Sequence, residues 1–186
     1  MPAPHANRVR IIGGAFRGRI IRFPPAPHLR PTPDRVRETL FNWLGQTLTG
    51  RRCLDLYAGS GALSLEAASR GADLVVAVDT SRALMEALRS TAARFGAQAL
   101  ETHVGDARAF VQAERRSFDV IFADPPFDDD PWPWLLPAVL PRLATGGCLY
   151  VEARAAMAPP PGLLDWRRDR AGQVHYHLFA RPGPAA

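Results

Sequence analysis

The chain has 186 residues, 47% hydrophobic and 22% charged, a balance that excludes wholesale disorder and is enough for one domain with a buried core. Two cysteines are too few for a disulfide framework, and no run of about 18 apolar residues is present to cross a bilayer, so the chain reads as cytoplasmic. The net charge of +5 is unevenly spread: residues 1–37 hold eight arginines against one acid, whereas the rest of the chain is slightly acidic.

All 23 basic residues are arginine. A GC-rich genome accounts for the missing lysine but not for the clustering. The guanidinium fork meets phosphate bidentately and stacks on bases, so Arg8, Arg10, Arg17, Arg19, Arg30 and Arg35 are candidate contacts to a polyanion.

Residues 1–7 read as a tail. Arg8–Ile12 and Arg19–Phe23 are short, β-branched runs separated by Gly13, Gly14 and Gly18, which predicts two small strands. Pro24, Pro25, Pro27 and Pro31 then force an extended segment. Thr32-Pro33-Asp34 marks a helix start, with Thr32 as the cap, Pro33 at the first helical position and an acid in the first turn. Val36, Leu40, Trp43 and Leu44 give that helix one buried side and leave Arg35, Arg37 and Asn42 for its other faces.

From Arg52 the pattern alternates between strands and helices. Strand-like runs fall at Cys53–Tyr57, Leu74–Asp79, Leu100–Val104, Phe118–Ala123 and Cys148–Glu152. The clearest helix is Ser81–Phe95, with Leu84, Leu88, Ala92 and Phe95 in register. A Pro-rich loop after Met157 leads to a last strand, Val174–Ala180, expected to lie antiparallel beside its predecessor. The predicted fold class is therefore α/β, a Rossmann-like, mostly parallel, doubly wound sheet with an antiparallel last strand and a small N-terminal β/α extension. Residues 1–50 form the basic extension and residues 51–186 the main domain. Cys53 and Cys148 read as small buried residues in strands that are not neighbours. Trp132 and Trp134 read as a partly buried aromatic pair under the lip of the site.

In such sheets ligands bind beyond the C-terminal ends of the strands, where the strand order switches. Four acids stand at those ends: Asp55, Asp79, Asp106 and Asp124. Asp55-Leu56-Tyr57-Ala58-Gly59-Ser60-Gly61 carries a strand into a glycine turn that opens a helix, so a ligand can approach the backbone closely. The third glycine of a dinucleotide fingerprint is replaced by Ser64, which argues against a pyrophosphate there. Asp79 is placed to accept from ribose hydroxyls, or to cap the helix that follows, a task Ser81 can also perform. Asp106, before Ala107, is either a ligand contact or a helix cap.

The most specific motif is Asp124-Pro125-Pro126-Phe127 after the fourth strand. The prolines hold the backbone extended without N–H donors and leave carbonyls free to accept. An amino group on a base ring has its lone pair delocalised into the ring. Accepting its two hydrogens on Asp124 and the Pro125 carbonyl localises that pair and aims it, while Phe127 stacks on the base. His175 and His177 share one strand face, but no further ligands stand at a usable spacing, so no metal is expected.

The Asp55–Gly61 loop resembles motif I of class I S-adenosylmethionine methyltransferases. The Asp124–Phe127 loop resembles motif IV of those that act on exocyclic amines. Leu29–Leu44, with Arg10-Ile11-Ile12-Gly13-Gly14, Arg17-Gly18-Arg19 and Gly172-Gln173-Val174 with Tyr176, is similar to the bacterial 16S rRNA guanine-N2 methyltransferases of the RsmD family. The resemblance implies transfer of a methyl group from S-adenosyl-L-methionine to N2 of one guanine, guanine 966, in 16S rRNA. It implies Asp124, Pro125, Pro126 and Phe127 as catalytic residues. Asp55, Ala58, Gly59, Ser60, Gly61, Asp79, Asp106 and Ala107 would bind the cofactor, and the six arginines would bind RNA. Expected partners are 16S rRNA in the small subunit or an assembly intermediate, and ribosomal proteins, met by a monomer. Asp128, Asp129 and Asp130 either cap a helix near Pro131 or face a basic ribosomal protein. Two rivals are a DNA adenine-N6 methyltransferase, which lacks here the extra residues for reading duplex sequence, and a non-catalytic RNA-binding assembly factor.

Overall fold

In the computed structural model, which describes residues 7–27, 29–126 and 130–183, Arg8–Arg10 (β1) and Ile20–Arg22 (β2) pair antiparallel as a small hairpin. The loop between them presses onto the main domain: Ala15 N–H donates to the Ser69 carbonyl at 2.7 Å and Phe16 N–H to Ser69 Oγ at 2.8 Å. Gly14 makes this approach feasible, since it has φ +76° and a Cβ there would lie 1.9 Å from the Ser69 carbonyl oxygen.

The proline segment ends in Asp34–Leu44 (α1), with Pro33 at its cap position and no side-chain capping bond. Thr32 is therefore not the cap, contrary to expectation. Its carbonyl accepts from Arg37 Nε at 3.1 Å, and its side chain turns inward. The helix buries Val36, Leu40 and Phe41 as its periodicity requires, but it also buries Arg37 completely, which corrects the placing of Arg37 on an outer face. Its guanidinium contacts Glu66 Oε2 at 3.2 Å, Asp34 Oδ1 at 2.5 Å and the Arg10 carbonyl at 3.0 Å. Every charge-bearing nitrogen thus has an oxygen partner, the condition under which a buried charge is tolerated.

The main sheet contains seven strands in the order β5-β4-β3-β6-β7-β9-β8. They are Arg52–Asp55 (β3), Leu74–Asp79 (β4), Leu100–Val104 (β5), Phe118–Ala123 (β6), Leu143–Ala153 (β7), Leu164–Ala171 (β8) and Val174–Ala180 (β9). The first five are mutually parallel, and β9 runs antiparallel between β7 and β8. The helices between them are Ala62–Ser69 (α2), Arg82–Phe95 (α3), Ala107–Ala113 (α4) and Trp132–Val139 (α5).

Period-two alternation sorts the strand residues. Cys53, Val75, Val120, Phe122 and Tyr150 pack against α1 and α2 on one face. Leu54, Val76, Ile121, Leu149 and Val151 pack against α4 and α5 on the other. A third apolar cluster joins the N-terminal hairpin to α2 and α3. Helix α1 thus belongs to the same core as the sheet.

The last part of the sheet differs from expectation in one element. β8 occupies what reads as an irregular stretch, so two antiparallel strands, not one, close the sheet. Its sequence Leu-Asp-Trp-Arg-Arg-Asp-Arg-Ala carries no apolar alternation because it is an edge strand, exposed at seven of eight positions. Cys53 and Cys148 are buried in β3 and β7, separated by β6, and burial pushes the Cys53 thiol up to about 12. Helix α5 starts after Pro131 without a side-chain capping bond, and Asp130 is exposed. Asp128 and Asp129 lie outside the described residues. Among the described residues no helix is long and apolar enough to cross a membrane.

Candidate active site

The sheet reverses its winding between β3 and β6: the chain builds outward from β3 through β4 to β5, then returns to the other side of β3. A crevice therefore opens beyond the C-terminal ends of β3 and β6. A cavity of about 1400 Å³ occupies it. Asp55, Ala58, Gly59, Ser60, Asp79, Asp106, Ala107, Asp124, Pro125 and Pro126 all lie in its wall. Gly61 stands just behind at the start of α2, with φ +77°, a conformation that favours glycine, and a Cβ there would meet Leu88 Cδ1 at 2.4 Å. Phe127 lies outside the described residues.

Hydrogen bonds fix the glycine turn from the neighbouring strand. Gly59 N–H donates to Asp79 Oδ2 at 2.9 Å, and Ser81 N–H donates to Asp79 Oδ1 at 2.8 Å. Ser81, and not Asp79, caps α3 by accepting from Leu84 N–H. Each Asp79 oxygen still has lone-pair capacity for a ligand hydroxyl. Asp106 caps α4 through Ala109 N–H at 2.9 Å and also lines the cavity, so the two expectations for it are compatible. Ser64, the residue in place of a third glycine, donates to Asp55 Oδ2 at 2.6 Å. Burial pushes the Asp55 carboxyl up to about 7 despite that bond, and the nearby Asp79 charge adds to the rise.

Asp124 follows the last residue of β6. Because β6 and β7 are parallel with Ala123 opposite Val151, the next residues on the two strands, Asp124 and Glu152, stand side by side. Burial, reinforced by the Glu152 and Asp55 charges, raises the Asp124 carboxyl well above the usual range. Burial also raises Glu152, although Tyr150 and Thr32 hydrogen-bond to it. The Tyr150 hydroxyl donates to Glu152 Oε1 at 2.7 Å. Sequence reading missed Glu152 and Thr32 in this wall. The signal was available for Glu152, an acid at the end of an apolar strand run like the four that were singled out.

The arginines divide by position. Arg8, Arg10, Arg17 and Arg19 are exposed on the hairpin and its loop, and the Arg19 guanidinium lies over the Phe16 and Phe95 rings. Arg35 is exposed on α1, and its charge acts on Asp169 of β8. Arg30 lies in the cavity wall, as does Arg154, which sequence reading did not single out. Trp132 and Trp134 are half-buried as expected, and Trp134 borders the cavity with the Arg108 guanidinium 5.5 Å from its ring. His177 Nε2 accepts from Met157 N–H, and no group of residues that can hold a metal ion exists among the described residues.

The family described as Conserved hypothetical protein 95 matches residues 9–180. The ribosomal RNA small subunit methyltransferase D of Escherichia coli strain K12 is 36% identical over 191 aligned positions, which span 95% of this chain and 91% of that protein. The protein of the same name from Haemophilus influenzae is 38% identical over 129 positions, 67% of each chain. The solved structure of the Escherichia coli protein yhhF superimposes with a TM-score of 0.85 at 37% identity, covering 95% of this chain and 99% of that one.

Proposed function

The chain belongs to the RsmD family of methyltransferases, and from that premise we propose that it methylates the N2 amine of a guanine in small-subunit ribosomal RNA, with S-adenosylmethionine as donor. The observation that carries the reading is a single cavity at the strand switch point. It holds both the glycine turn tied to Asp79 and the Asp124-Pro125 step.

The residues of the glycine-turn half fit the cofactor. Asp79 would offer a carboxylate to ribose hydroxyls, Asp106 and Ala107 would face the adenine, and the Asp55–Gly61 turn would offer backbone and carboxylate to the amino-acid end, all of them but Gly61 lining one cavity. When bound, the cofactor supplies a methyl group on a sulfonium that is already activated for transfer. The protein's task is then positioning.

Asp124 and the Pro125 carbonyl accept the two hydrogens of the base amine and turn its lone pair toward the donor. One of those protons is lost from the amine on transfer, and the Asp124 carboxylate is the near acceptor for it. The upward shift of the Asp124 carboxyl equips it for that step, since a carboxylate that holds its proton more tightly is a stronger base than an ordinary one. Pro125 has no N–H to compete for the carbonyl it presents. Phe127 provides the stacking face for a base taken out of its own stack.

Residues 1–50 act as the RNA-contact extension of the catalytic domain formed by 51–186. Their boundary is functional, because α1 shares the sheet's core. Arg8, Arg10, Arg17, Arg19 and Arg35 grip phosphates outside the cavity, and Arg30 does so at its mouth. The protein acts as a cytoplasmic monomer on 16S rRNA in the small subunit or an assembly intermediate, at guanine 966 by resemblance and alongside ribosomal proteins. The test is transfer from labelled S-adenosylmethionine to unmethylated small subunits, large subunits and duplex DNA. Label in small-subunit RNA alone is expected. Label in DNA would install the adenine-N6 rival, and no transfer with cofactor bound would favour the assembly factor.

A further inference from the structure

Glu152 is the acid in the cavity wall to which the reaction above gives no task. It is only 6% exposed, yet it faces the same cavity as Asp124. The Tyr150 hydroxyl holds Oε1, and the Thr32 side chain supplies a further bond, so the carboxylate is fixed in orientation and retains lone pairs. A core position needs no acid there, because an apolar residue of similar size would fill it without the cost of desolvating a charge.

The edges of the bases give such an acid a use. In guanine the N2 amine adjoins N1–H, so two donors stand side by side. In adenine and cytosine the ring nitrogen beside the amine on the pairing edge is a bare acceptor. With both acids ionised, which two facing donors favour against the burial that raises them, the pair matches the first pattern and repels the lone pair of the second. We propose that Glu152 is a specificity-determining residue that accepts N1–H of the target guanine while Asp124 accepts from its N2 amine. This proposal rests on the guanine-N2 reading given above.

The test uses the full chain and small-subunit particles reconstituted with either guanine or 2-aminopurine at the methylated position. 2-Aminopurine keeps the N2 amine but has a bare N1. Wild type should prefer guanine by about 10- to 100-fold in kcat/KM, the size of one unsatisfied polar contact. Glu152→Gln keeps the side chain's volume and can turn an amide N–H toward the bare N1. It should narrow the preference at least about 10-fold, with thermal unfolding showing that it remains folded.

A Glu152→Gln variant that slows both substrates equally, leaving the preference unchanged, overturns the proposal and makes Glu152 a structural residue. A wild-type preference under about 3-fold overturns it without any variant, since an acceptor facing N1 must discriminate more than that. Nucleoside analysis of the wild-type product separates the two levels. Methyl on an atom other than N2 ends the guanine-N2 reading and this proposal with it, whereas N2 transfer with an unaltered preference ends this proposal alone.

Discussion

Replacing Glu66 with glutamine should unfold the junction between the basic hairpin and the main domain. Glu66 is fully buried on α2, and its two oxygens receive Ile12 N–H at 2.9 Å, Gly13 N–H at 2.8 Å, Arg37 Nη1 at 3.2 Å, and Arg70 Nε and Nη2 at 3.1 and 3.0 Å. An amide has only one accepting oxygen and would turn an NH₂ toward buried guanidinium groups. Breaking a buried ion pair on one side costs about 3–5 kcal/mol, because the surviving charge is left uncompensated. For a chain of this length that corresponds to a fall of roughly 6–20 °C in the unfolding midpoint.

Urea unfolding followed by circular dichroism measures the loss, with Arg37→Met made alone and in combination. The double variant should cost less than the two single losses added, since the second change removes a charge that the first has stranded. A Glu66→Gln loss under about 1 kcal/mol, or strict additivity with Arg37→Met, would refute the view that Glu66 clamps the hairpin and α1 to α2.

Asp79→Ala removes the proposed ribose acceptor and the partner of two backbone N–H groups. It should weaken S-adenosylmethionine binding by about 10- to 100-fold in titration calorimetry, and unchanged affinity would remove Asp79 from the cofactor site. Asp55 titrates at about 7, above its ordinary 3.8, so the folded state binds its proton more tightly than the unfolded state. Its stabilising contribution is full below about pH 4 and is lost as pH rises through 7. Wild type should therefore lose more stability between pH 5 and pH 8 than Asp55→Asn, and parallel urea midpoints for the two would contradict this. Changing Arg8, Arg10, Arg17 and Arg19 to glutamine should flatten the salt dependence of RNA binding by about 0.7–0.9 log units per lost phosphate contact; an unaltered slope would place the RNA elsewhere.

The inner parallel strands were legible because they are buried on both faces, and the edge strand Leu100–Val104 because half-buried residues alternate with exposed ones along it. Leu74–Asp79, Leu100–Val104 and Phe118–Ala123 read as strands with the bounds they adopt. β8 was not legible for the opposite reason: an exposed edge strand is held by backbone bonds to β9 and leaves no hydrophobic period in its sequence. Arg37 shows a second limit. Composition counts a guanidinium as surface charge, and only the fold reveals that Glu66, Asp34 and two carbonyls surround it. Thr32 shows a third, since its place before Pro33 fits a helix cap, while the nearby Glu152 draws its hydroxyl away. The acids singled out at the strand ends share one cavity wall because strand ends in this topology converge whatever the loops do, whereas wall residues from other segments, such as Thr32 and Arg154, gave no such signal. Glu152 ends the run Cys148–Glu152 just as the other acids end theirs, but no recognisable motif follows it to draw attention to that strand end.

The central claim is that Asp124 and Pro125 aim the N2 amine of a guanine at the methyl donor. The direct measurement digests the RNA of small subunits methylated by wild type and by Asp124→Ala, and identifies the labelled nucleoside. N2-methylguanosine at one position from wild type is predicted, with none from a variant that still binds S-adenosylmethionine within a few fold. N6-methyladenosine, or undiminished transfer by Asp124→Ala, would contradict the account.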